Sequence, residues 1–181
     1  MKMETLPVET AVEWITAWTD LEWPVSWQTA FAIRDRLGWI AESEDGRFFR
    51  TVLTPPGKEG EGVIGARDDH EFDGVVFLLA TPVIRGMKDE TTAPTTWAAY
   101  ESYVTALTKI FGEPREVRRH SGSNKEDRES TWYLPNDSSF SLGAQSGIIE
   151  VSILSPEDTW ADLESQRLEE KYGPDWEELI N

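Results

Sequence analysis

The chain contains no cysteine, which removes disulfides, thiolate metal sites and a cysteine nucleophile together and is compatible with a reducing compartment. It has two histidines, His70 and His120; nothing beside His120 in the sequence makes it a general base, and a surface position is expected for it. No apolar run approaches the roughly 20 residues of a membrane span, and Met1-Lys2-Met3-Glu4 leads into no apolar leader segment. A cytoplasmic protein is the expectation. Basic residues are scarce, with 17 Lys and Arg against 34 Asp and Glu and a formal net charge of -17. Such a field repels nucleic acid and anionic membranes, and it attracts and steers a basic protein. No G-x-S-x-G elbow, Rossmann glycine pattern or G-K-[ST] phosphate loop is present, and paired carboxylates among 34 acids carry no information about acid–base work. Neither an enzyme nor a cofactor is expected.

What is abundant is tryptophan, nine in 181 residues, which implies a large aromatic contribution to the core with some rings left at a rim. This length suits one domain spanning residues 1–181 with a single substantial core. The chain is organised around Ser130 to Glu157. Trp132 and Leu134, then Phe140 and Leu142, then Ile149, Val151 and Ile153 recur at every second position, as strands with one buried face require. Pro135-Asn136-Asp137-Ser138 and Gln145-Ser146-Gly147 supply the turns, so a β-meander is predicted. Ser155-Pro156-Glu157-Asp158 then reads as an N-cap, a first-turn proline and two acids, opening a C-terminal helix whose apolar face is Trp160, Leu163 and Leu168.

Upstream, Val8, Ala11, Val12, Ile15 and Trp18 share one helical face and predict a helix over about Val8–Thr19, broken by Trp23-Pro24. Ser26 caps a second helix, Trp27–Leu37, with Gly38 as its stop. Trp39–Ser43 and Phe48–Thr54 form a hairpin around Asp45-Gly46, and Val63–Ala66 and Val75–Ala80 add two strands, the second apolar enough to be central. After a polar linker at Gly86–Ala93, Trp97, Tyr100, Val104, Leu107 and Phe111 mark the clearest helix, ended by Gly112 and Pro114. Arg115–Arg119 is a short strand; Ser121–Glu129 reads as a polar mobile stretch. The predicted fold is α+β: a mainly antiparallel sheet with an N-terminal helix pair, one long helix packed on the sheet and a C-terminal helix.

Two acidic loops are the candidate interaction site. Pro55–Gly62 carries Lys58, Glu59, Gly60 and Glu61, and Arg67–Gly74 carries Asp68, Asp69, Glu71, Phe72 and Asp73. The second loop has metal-ligand residue types, including His70, without the spacing of an EF-hand or a helical zinc motif, so a solvated acidic turn is the better reading. These loops, with Phe72 as an exposed aromatic, would plug a basic cleft. From Ser155 onward nine acids oppose two bases, a second solvated or steering face.

The runs R-L-G-W at Arg36–Trp39, F-G-E-P at Phe111–Pro114, T-W-Y-L at Thr131–Leu134 and I-I-E-V-S-I-L-S-P-E before the last helix resemble small actinobacterial proteins similar to the immunity factor of the tuberculosis necrotizing toxin, a NAD-glycohydrolase. The resemblance spans most of the chain. It implies an antitoxin-like inhibitor that binds the toxin domain and occludes its NAD cleft; that the partner is basic is expected from the charge. The loop contacts, with Phe72 or a loop glycine entering that cleft, are inferred from the residues themselves. A regulatory or secretion-chaperone module that captures an extended peptide is the alternative, and an enzyme acting on a cationic substrate is a third.

Overall fold

A computed structural model describes residues 2–65, 72–121 and 125–179, with the backbone alone at 119–121 and 125. In chain order the elements are α1 (Val8–Thr16), α2 (Trp27–Arg36), β1 (Ile40–Ala41), β2 (Phe48–Arg50), β3 (Gly62–Gly65), β4 (Gly74–Leu78), α3 (Thr92–Phe111), β5 (Arg115–Ser121), β6 (Lys125–Tyr133), β7 (Ser139–Gln145), β8 (Ile148–Leu154) and α4 (Pro156–Tyr172). Single 3₁₀ turns sit at Arg85–Met87 and Trp176–Leu179. The fold is α+β, and among the described residues eight strands form one antiparallel sheet in the order β1-β2-β3-β4-β8-β7-β6-β5. It is two meanders joined edge to edge. The join is β4 on β8, with Val75 opposite Ile153 and Phe77 opposite Val151. Both strands therefore lie inside the sheet, which is why Val75–Leu79 is nearly all apolar.

One face of the sheet carries Phe49, Ile64, Val75, Phe77, Ile149, Val151, Ile153, Phe140, Leu142 and Trp132, all buried. The helices α1, α2 and α3 supply the other wall of that core through Trp14, Ile15, Ile33, Tyr103 and Leu107. Trp39 is its aromatic hub, stacked on Phe49 at 4.6 Å and edge-on to Trp14 at 5.1 Å. Edge and stacked pairs of this kind add about 0.5–1.5 kcal/mol each beyond the area they bury. Polar ties then fix the long helix to the sheet. Trp132 Nε1 donates to the Gly112 carbonyl at 2.9 Å, and the Gly147 N–H donates to Thr96 Oγ1 at 2.9 Å, pinning the β7–β8 turn to α3.

Local chemistry sets several boundaries. Ser26 and Ser155 cap α2 and α4, accepting from Thr29 N and Asp158 N at 3.1 Å each. Gly38, after α2, has φ +75°, as a left-handed stop requires. β2 ends at Arg50 rather than Thr54, because the hydroxyls of Thr51 and Thr54 capture the N–H groups of Leu53 and Thr51 and fold the segment into a turn. α1 stops at Thr16, and the next residues turn by shorter bonds, Trp18 N to Ile15 O and Thr19 N to Thr16 O.

Two expectations are overturned. Residues 125–129, read as mobile, belong to β6, laddered to β5 throughout and, from Asp127 on, to β7 as well. Arg128 explains how so polar a strand is held: it lies 4.4 Å from the Trp97 ring centroid and pairs with Glu101 and Glu126. On α4 two of the three residues of the expected apolar face point outward, and the third, Leu168, is half-buried. Trp160 is 67% exposed and Leu163 42%, whereas Thr159 is buried. Thr159 bonds Ser139 side chain to side chain at 2.8 Å and Gln166 reaches the Tyr133 hydroxyl at 3.3 Å, so a polar stripe faces the sheet. Among the described residues no helix is long and apolar enough to cross a membrane.

Candidate functional site

In a strand, residues that do not face the core face the other way. Among the described residues that second face has little over it: α4 crosses one end, at Ser139 and Tyr133, and leaves the β1–β4 half open. The register lines up Phe48, Val63 and Val76 across three strands. Ile40 and Phe48 are more than half exposed. An apolar row on an uncovered sheet is the kind of patch that marks an interaction surface.

Beside this row a cavity of about 500 Å³ is walled by Leu53, Leu78, Pro82, Ile84 and Met87, with Lys58, Glu59 and Glu61 contributed by the Pro55–Gly62 loop. A second, of about 310 Å³, lies over Gly143 between Val117, Asp127, Glu129, Ile148 and Glu150. Glu150 stands directly across the ladder from Leu78, so it separates the two hollows. Among the described residues Glu59, Glu61, Asp127, Glu129 and Glu150 form no ion pair. Crowding by the sheet, and then the nearby Glu61 charge, raise the Glu150 carboxyl above its ordinary range, although the side chain still meets solvent. A like charge and lost hydration both disfavour the carboxylate. A cation would relieve both.

Of the loop residues expected at the site, Lys58, Glu59 and Glu61 are brought together on the wall of the larger cavity. Gly60 is turned into the fold: its N–H donates to Glu42 Oε2 at 2.6 Å, and a Cβ there would lie 2.1 Å from the Phe49 carbonyl oxygen. It cannot project into a partner. The Asp73 backbone is held between strands, its N–H bonded to Gly65 O and its carbonyl to Ser155 N. Asp68, Asp69, His70 and Glu71 lie outside the described residues, and of His120 only the backbone is described.

Phe72 corrects the plug expectation outright. It is 2% exposed, stacked on Trp23 at 5.4 Å and on Trp18 at 5.8 Å and edge-on to Trp27. A flat apolar ring gains more from the buried Trp18 and the half-buried Trp23 and Trp27 than from water, and the segment after α1 together with the start of α2 brings those indoles to it.

Residues 9–155 match DUF6301, a family of unknown function. The chain belongs to the DUF6301 family. A search of the curated proteins and of the solved structures finds no match. The DUF6301 match ends at Ser155, the cap of α4, so every strand of the open face lies inside it. Sequence reasoning missed Glu150, Glu129 and Asp127 as site residues. The available signal was the outward half of each alternating strand, where Glu150 and Ser152 sit between buried neighbours.

Proposed function

We propose that this DUF6301 protein is a cytoplasmic immunity protein: a binding protein without chemistry of its own that seats a basic toxin domain, of NAD-glycohydrolase type, and blocks its active-site cleft. The observation that carries the reading is the open sheet face, apolar in its β2–β4 rows and studded with carboxylates that have no cationic partner among the described residues. Apolar area supplies contact, and the acids supply approach and orientation. The sequence resemblance to the immunity factor supplies the class of partner. With Phe72 buried, occlusion proceeds through a broad face with the Pro55–Gly62 loop at its rim, in place of a single inserted ring.

Co-expression of the chain with a basic NAD-glycohydrolase toxin domain should preserve cellular NAD. Joint reversal of Glu61, Glu129 and Glu150 to Lys should slow association about tenfold or more and reduce protection. Unchanged protection in that variant would remove the open face from the reading. A second reading, capture of an extended peptide by strand addition, has β5 in its favour, since this seven-residue strand is the outer edge of the sheet. Substituting Arg118, exposed on that edge and outside both cavities, by Pro, with the face left intact, separates the two.

A further inference from the structure

The larger cavity has a composition that neither a purely apolar nor a purely ionic ligand would use. Its walls are Leu53, Leu78, Pro82 and Ile84, while Glu61 opens onto it from the loop and Glu150 stands across the ladder from Leu78. We propose that it is the socket for one long cationic side chain, arginine or lysine, presented by the basic partner. The aliphatic stem lies along the apolar wall and the charged head sits between Glu61 and Glu150. This rests on the reading of the open face as the docking surface for a basic protein, and it names that surface's anchor.

Three observations converge. The volume, about 500 Å³, is ample for an extended arginine with some of its backbone. Among the described residues the side chains of Glu61 and Glu150 have no hydrogen bond or ion pair, yet they feel one another's charge. Glu61 lines this cavity, and the exposed Glu150 lines the adjoining hollow next to Leu78; a cation shared between two such like charges stabilises both, and long cationic side chains are built with an apolar stem and a polar tip. The cation already present, Lys58, lies on the rim and pairs with neither acid; it opposes the incoming charge. Arginine's planar fork is the better match for two carboxylates, and arginines are enriched among the residues that dominate protein interfaces.

The test needs no knowledge of the toxin. The 181-residue chain, isotope-labelled, is titrated with n-butylguanidinium and, separately, with neutral n-butylurea, following amide and methyl resonances. The guanidinium should shift Gly62, Leu78, Ile84 and Met87 with a midpoint on the order of 1 mM, as befits a ligand of so few atoms. Glu61→Gln combined with Glu150→Gln should weaken it about tenfold, and Lys58→Ala should tighten it a few-fold. Equal midpoints for the urea and the guanidinium, or a double Gln variant that binds unchanged, would overturn the proposal. Those results are independent of toxin protection, so the socket and the immunity reading fail separately.

Discussion

Phe72 and Tyr103 are single residues whose surroundings decide what they do. Phe72 is packed among Trp18, Trp23 and Trp27, so Phe72→Ala should lower unfolding stability by about 3–5 kcal/mol in a urea titration. A loss of partner binding with stability untouched would reverse that assignment. The Tyr103 hydroxyl donates to Leu6 O at 2.7 Å and to Leu79 O at 3.3 Å, tying the first residues to the sheet. Burial pushes its phenol up to about 12, while tyrosine in an unfolded chain ionises near 10. Below pH ~10 the folded state keeps this advantage in full, and it is lost as pH rises from there toward 12. Phenolate absorbance and unfolding should therefore rise together in an alkaline titration. Full tyrosine ionisation near pH 10 in the still-folded chain would contradict this. Tyr103→Phe, which takes this donor from the Leu6 carbonyl while Leu79 O keeps the Leu6 N–H, should cost about 1 kcal/mol.

Among the elements, α4 departs furthest from its sequence pattern. Its first turn is fixed by Ser155, whose Oγ accepts from Asp158 N, and by Thr159 on Ser139. Its polar stripe faces the sheet, and Trp160 faces water. Ser155→Ala should destabilise the chain by about 1 kcal/mol, whereas Trp160→Ser should stay within about 0.5 kcal/mol of the parent. Thermal unfolding of the two variants checks both, and a large loss from Trp160→Ser would mean that the ring is packed. The β6 strand makes the converse point. Its N-terminal half is polar because the backbone ladder, two-sided from Asp127 on, and the Arg128 contacts to Trp97 and Glu101 hold it, so hydrophobic alternation was never needed there.

For the whole molecule, acidity and architecture act together. A net charge of -17 surrounds a sheet with a packed face and an open one. The charge reaches outward over about a Debye length, roughly 10 Å at 0.1 M salt, and in the proposed function the open face is the part that would make contact. Association with a basic toxin domain should therefore slow by an order of magnitude or more between about 0.05 and 0.5 M salt, measured by stopped-flow, with the dissociation rate changing less. A salt-independent association rate would remove steering from the account.

Most of the elements were legible in the sequence because they depend on local chemistry. The alternation in Trp132–Ile153, the caps Ser26 and Ser155, the stop at Gly38 and the aromatic ladder from Trp97 to Phe111 each act within a few residues. The Pro55–Gly62 loop stands out in the sequence by its charge, and Lys58, Glu59 and Glu61 line the larger cavity. Tertiary structure decided the rest. The β4–β8 join pairs residues far apart in the chain, and only that pairing sets Leu78 against Glu150 and brings both near Glu61. Burial of Phe72 depends on indoles some fifty residues away, and the outward turn of Trp160 depends on which side of α4 found Ser139. Periodicity says that a side chain has a face, but the partner that covers or exposes that face is set by contacts remote in sequence.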